Sequence, residues 1–258
     1  MKKSLDKKIQ IPSNCKVSDN VLFLNNVKIG NNCIIGNNVI LNNCIIGNNC
    51  IIEDNSIIGY STITGHFADS NNFSNKNKIN SSRIIIGNSV LIRTGVTIYF
   101  DSQIGDDCWI NHNAIIRENV RIGNKSSIGS NTICENNVTI GNRCVIQNNS
   151  MICAQTQIES FVFIGPGVTL TNNAPIGHLR DVLPTIRAPK LKLGCAVGGG
   201  VTISPGVEIG EEAIIGSGSV VISNILPRII ASGNPAIKQK TVGKKGLIKN
   251  EFRLEYNL

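Results

Sequence analysis

A period of six residues constrains this chain more than any other feature. From Ile104 through Ile110, Ile116 and Cys134 to Leu170, every sixth position holds an aliphatic residue or, once, a cysteine. Two residues before most of these stands a smaller side chain, such as Cys108, Ala114, Ser126 or Val138. Neither a helix nor an ordinary hairpin repeats every six residues, whereas a short-repeat parallel β-helix does. Residues two apart on a strand share a face, so both members of each pair point inward. The Gly and Asn that follow adopt positive φ at little cost, as tight corners between flat strands require. Three hexads close a triangular coil of about 18 residues, and successive coils stack roughly 4.8 Å apart.

Interruptions of the period divide the chain. Residues 1–20 read as a polar N-terminal arm or cap, and 21–65 as a first set of coils with one hexad a residue short. Residues 66–82 break the repeat as a surface loop. Residues 83–227 resume it and carry a second interruption, 173–191, long enough to be a binding element. Residues 228–258 read as a Lys-rich helical tail that caps the prism.

Composition narrows the function. Aromatic residues make up 4% of the 258, as suits a narrow prism filled with Ile and Val, and the net charge of +8 gathers toward the two ends. Neither an aromatic RNA-binding signature nor a helix-turn-helix pattern accompanies that charge, so nucleic acid is not an expected partner. The nine cysteines are odd in number, form no CxxC pair and mostly occupy inward positions, where free Cys acts as a small hydrophobe. The start of the chain has no apolar stretch fit for a signal peptide, and no run approaches membrane-spanning length. A cytoplasmic protein with no membrane partner is the expectation.

Stacking places Thr94, His112, Ser130, Asn148 and Pro166 in one corner column, with Asn113, Asn131 and Asn149 in the next. His112 is the only titratable group there, so the corner can orient a polar ligand but offers little other acid–base chemistry. The three histidines, His66, His112 and His178, are not spaced to converge on a metal, so none is expected.

Three segments carry a resemblance: HNAIIREN (112–119), VIQNNSMICAQTQIESFVFIGPGVTLTN (145–172) and IGSGSVVISNILPRIIASGNPA (215–236). They resemble the hexapeptide-repeat acyltransferases over residues 86–238, and most of all the nucleotide-linked amino-sugar N-acetyltransferases of surface-polysaccharide biosynthesis. The resemblance implies an all-β fold, a left-handed parallel β-helix of hexapeptide repeats with loop excursions and a short C-terminal helical cap. It implies acetyl transfer from acetyl-CoA to the amine of a dTDP- or UDP-linked sugar, by a homotrimer with active sites between subunits. Carried over residue by residue, His112, Asn148 and Asn149 are catalytic. Gln147, Asn113, Asn131, Arg117 and Asn172 contact the nucleotide sugar. Gly198, Gly216, Ser217, Lys190 and Lys238 contact coenzyme A. Residues 21–65 extend beyond compact members of the family, loop 173–191 lacks aromatics, and the ending Asn234-Pro235-Ala236-Ile237-Lys238 departs from the usual one. Two alternatives stand beside this reading: an O-acetyltransferase using His112 as base, and a non-catalytic structural β-helix.

Overall fold

The computed structural model describes residues 11–60, 83–176, 178, 186–243 and 247–248. Over these the chain is a parallel β-solenoid of short strands, with no helix among the described residues. The strands fall into three sheets, the flat faces of a triangular prism, called here faces A, B and C. Strand Trp109–Ile110 lies on face A, Ile115–Ile116 on face B and Arg121–Ile122 on face C. The next strand, Ser127–Ile128, returns to face A beside Trp109–Ile110.

The period works as the sequence predicts. Aliphatic residues such as Ile110, Ile116, Ile128 and Ile152 are fully buried in one continuous core. Burying each contributes about 1.5–3 kcal/mol. The smaller inward residue does more than save space. Ser126 Oγ donates to Gly141 O at 2.9 Å and accepts from Cys144 N at 3.0 Å. Thr132 repeats the motif with Gln147 O and Ser150 N. Cys108 and Cys144 supply the same donor, each reaching the next coil's carbonyl at 3.1 Å. Each such bond staples one coil to the next inside the corner, where an unpaired group is costly.

A second ladder runs outside. At the corner between faces C and A, the Oδ1 of Asn88, Asp106, Asn124 and Asn142 each accepts the backbone N–H one coil earlier. Ser160 Oγ ends the run by accepting from Asn142 N. The abundant Asn of this chain therefore has a structural use: Oδ1 ties coils together, and the next residue takes positive φ.

The short hexad leaves a local trace. Leu22 pairs with Ile40, but Lys28 pairs with Ile45, so the missing residue falls at Asn42–Asn43 on the corner between faces B and C. Asn42 Nδ2 closes the gap by donating to Gly59 O at 3.1 Å.

Three boundaries differ from the sequence reading. The prism begins earlier, because Lys16–Val17, inside the expected arm, pairs with Ile34–Ile35. Loop 173–191 is shorter, because Lys190–Leu191 is a face C strand between Gln157–Ile158 and Glu208–Ile209. Within the expected helical tail, 228–258, the described residues form an antiparallel hairpin, Ile229–Gly233 with Ala236–Thr241, whose first strand extends face A, while 244–246 and 249–258 lie outside the described residues. Alternating Ile229 and Ala231 are buried, so period-two burial against the last coil overrides the Lys-rich helical character. Loop 66–82 lies outside the described residues. No described helix is long and apolar enough to cross a membrane.

Candidate active site

The corner between faces A and B carries the proposed chemistry. His112 and Asn113 turn the chain from Trp109–Ile110 into Ile115–Ile116, and Asn148–Asn149 do so two coils later. Backbone bonds tie the column together: Asn131 N donates to His112 O, Asn149 N to Ser130 O and Gly167 N to Asn148 O. His112, Asn113, Asn131, Asn148 and Asn149 are exposed and Gln147 is half-buried.

These residues are not equivalent. Asn148 Oδ1 accepts from Ser130 N at 2.8 Å, the same staple that Asn142 makes at another corner. Because a backbone N–H must face an acceptor, this bond fixes which end of the amide is which. Asn148 Nδ2 is left as a free donor among the described residues, so the side chain can stabilise developing negative charge but cannot receive a proton. Asn113, Asn131 and Asn149 hold φ of 56°, 56° and 59° and shape the turn. Asn113 Oδ1 also covers Gly95. His112 takes no part in the staple: Thr94 N, one coil earlier, donates instead to Glu53 Oε2 at 3.1 Å. Its imidazole has no hydrogen-bond partner among the described residues and stays available for a ligand.

Beyond Asn149 this corner changes character. Pro166-Gly167, Gly199-Gly200 and Ser217-Gly218 replace the Asn pairs, and a Cβ on Gly167, Gly200 or Gly218 would meet nothing within 4 Å. Gly129 and Gly165 flank Gln147 in the adjacent column, so its side chain stands clear on both sides. Ser217 belongs to the last of these pairs, whereas Gly198 and Gly216 continue the Gln147 column beside it, where an added Cβ would lie 2.5 Å from Ser217 N and 2.8 Å from Ser232 Cβ.

Other expected residues lie elsewhere. Arg117 stands at the corner between faces B and C, 5.6 Å from the centroid of the Tyr99 ring and in a two-point ion pair with Glu118 at 3.0 and 3.1 Å. That pair raises the Arg117 pKa above its ordinary value. Asn172 Nδ2, at the same corner, donates to Ala154 O at 3.2 Å. Both interruptions leave the prism there, after Tyr60 and after Leu170 on face B, returning to face C at Ile84 and Lys190. An antiparallel bridge between Asn173 and Ile186 pinches the base of the second. In one chain, then, the two ends of the second interruption lie across face B from His112, not beside it. Lys190 is on face C, where it lines a cavity of about 200 Å³ with Thr139, Gln157 and the Glu159–Lys192 ion pair. Lys238 is exposed on the terminal hairpin.

The sequence reading passed over the outward column of face A. Leu91, Trp109, Ser127, Val145 and Phe163 stack in register there. Trp109 is 57% exposed and Phe163 41%. The signal was present: both aromatics sit directly before an inward isoleucine, at a position that faces out. Face B is also apolar outward, with Ile115, Ile133 and Met151 in register, whereas face C carries Gln103, Arg121, Thr139 and Gln157. Among the described residues no group of His, Cys, Asp and Glu converges as a metal site.

Comparison with known proteins agrees with the repeat. Residues 8–43, 101–136 and 137–172 match the bacterial transferase hexapeptide (six repeats) family model. A Saccharomyces cerevisiae protein named as a candidate acetyltransferase, YJL218W, is 36% identical over 103 residues, 39% of this chain and 53% of that protein. The galactoside O-acetyltransferase of Escherichia coli is 36% identical over 77 residues, 29% of this chain and 38% of that enzyme. The chain thus spans about half the length, or less, of these relatives. Among solved structures, a point mutant of AntD, an N-acyltransferase from Bacillus cereus in complex with dTDP and coenzyme A, shares the fold. It has a TM-score of 0.51 and 22% identity, covering 60% of this chain and 89% of that one.

Proposed function

We propose that this chain, which carries the hexapeptide repeats of the bacterial transferase family, is an acetyl-CoA-dependent acetyltransferase whose acceptor is the amine of a nucleotide-linked sugar. The observation that carries the reading is the corner between faces A and B. There a free imidazole and a donor-only amide stand beside the turn column that is bare at Gly167, Gly200 and Gly218. Coenzyme A would run along that column past Gly198, Gly216 and Ser217, with its acetyl group near Asn148. Lys238 on the terminal hairpin would meet its phosphates.

An amine that binds neutral is already a nucleophile. The enzyme's contribution is then positioning, plus donors aimed at the thioester oxygen as it becomes an oxyanion. Asn148 Nδ2 suits that second task. The amine attacks the carbonyl carbon, the C–S bond breaks, and the departing thiolate collects the surplus proton. His112 would orient the sugar.

A homotrimer fits this scheme. Faces A and B flank the corner and are apolar outward, as a surface buried by further copies would be. Packing prisms side by side would bring Arg117, Asn172 and loop 173–191 of one copy to His112 of the next.

The likeness to a galactoside O-acetyltransferase favours a second reading, transfer to a hydroxyl, which needs a base, and His112 is the one at hand. Free-thiol release from acetyl-CoA with a panel of amino and hydroxy nucleotide sugars separates the two. Release only with hydroxy acceptors overturns the amine reading, and release with none overturns both.

A further inference from the structure

Three thiols occupy consecutive rungs of one interior column at the N-terminal end of the prism. Cys15, Cys33 and Cys50 stand immediately before the paired strands Lys16–Val17, Ile34–Ile35 and Ile51–Ile52. The same column continues through Val90, Cys108, Ser126, Cys144, Val162 and Cys195. Each later cysteine is therefore separated from the next by a residue without sulfur. Among the described residues, thiols meet on adjacent rungs only in the first three coils.

Cys15 and Cys33 are placed to join. In-register parallel neighbours lie about 4.8 Å apart, inside the Cα separation of roughly 4.4–6.8 Å that a disulfide spans. Cys33 N lies 3.4 Å from Cys15 Sγ, so the Cys15 sulfur already sits against the backbone of its neighbour. Cys15 is half-buried and the other two are buried, so a small oxidant reaches the run from its outer member. Hydrogen bonding from Cys50 lowers the Cys33 thiol to about 6 in spite of burial, and the same contact raises Cys50.

We propose that Cys15 and Cys33 form a peroxide-driven disulfide that locks the first coil of the solenoid onto the second. Hydrogen peroxide oxidises the Cys15 thiol to a sulfenic acid, releasing one water. The Cys33 thiolate then attacks that sulfur, the S–S bond forms, and the departing hydroxide takes a proton to give a second water. Two electrons pass from the thiols to the peroxide. Cys50 stays reduced, because the partner it would need is consumed. The site lies at the opposite end of the prism from the bare glycine column and is independent of the acceptor's identity.

The test uses the full chain, reduced, challenged with hydrogen peroxide, quenched, then alkylated under denaturing conditions and digested for mass analysis. The expected result is the peptide containing Cys15 joined to the one containing Cys33 with loss of two hydrogens, reversible by dithiothreitol. Titratable thiols fall by two from nine. Cys15→Ser and Cys33→Ser each abolish the link. Both should fold, because Ser126 fills the same column through the same hydrogen bonds. Acetyl-CoA turnover by Cys15→Ser should match wild type. A sulfinic acid on Cys15 with Cys33 still alkylated, a link to any other cysteine, or nine free thiols after challenge would each overturn the proposal.

Discussion

Asn148→Asp separates the structural use of this side chain from its chemical one. The staple to Ser130 N needs only an acceptor, and Asp serves in that place elsewhere: Asp106 Oδ1 accepts from Asn88 N at 2.6 Å and Asp54 Oδ1 from Asn37 N at 2.7 Å. The substitution keeps the coil-to-coil bond, removes the Nδ2 donor and sets a carboxylate oxygen in its place. Stability should stay near wild type. Asn148→Ala, which removes the bond, should lose about 0.5–1.5 kcal/mol, a fall in thermal midpoint of about 2–4 °C per kcal/mol for a chain of this size. If Nδ2 meets the oxyanion, both variants lose about 10²–10³-fold in kcat, equivalent to about 2.7–4 kcal/mol. Asn142→Ala provides the matched control, because it breaks an identical 2.8 Å staple at the corner between faces C and A. It should share the stability loss of Asn148→Ala and keep full activity. The assays are thermal unfolding and thiol release from acetyl-CoA at saturating acceptor. Wild-type turnover by Asn148→Asp would refute the assignment. So would equal losses of activity in Asn142→Ala and Asn148→Ala.

Four further outcomes are expected. His112→Ala should lower kcat/KM on an amine acceptor by less than about 10²-fold, the smallest loss typical of a removed general base; a larger loss would favour the hydroxyl reading. Gly123→Ala should cost about 1–3 kcal/mol by overpacking, since its Cβ would sit 2.6 Å from both Asn142 Oδ1 and the Gly141 carbonyl carbon. Gly200→Ala meets no such wall and pays only for its φ of +67°, about 1–2 kcal/mol, but should raise KM for acetyl-CoA if the cofactor runs along that column; unfolding midpoints and initial rates distinguish the two. Glu212→Ala should destabilise the chain by about 1–3 kcal/mol without slowing turnover at ambient temperature, checked by calorimetry beside rate measurements. Glu212 is 2% exposed, binds Arg228 Nε at 3.0 Å and accepts from Ile248 N at 2.8 Å, tying the last described residues to the prism.

The period of six by itself determined the solenoid, its inward residues and the stacking of His112 with Ser130 and Asn148. A strict local repeat leaves the chain no other way to bury every sixth side chain, so position in the sequence translates directly into position on the prism. The same arithmetic did not distinguish corners. His112 and Arg117 are five residues apart and belong to different corners, and both excursions leave from the second. The Lys-rich composition of the tail suggests a helix, whereas the exposed end of face A offers unpaired backbone and an apolar rung to cover, and that contact decides for a hairpin. Which end of the Asn148 amide is free, and which side of the prism is apolar, depended on neighbours one coil away. Those neighbours lie about 18 residues distant along the chain, and only the stacked coils bring their donors and side chains into contact.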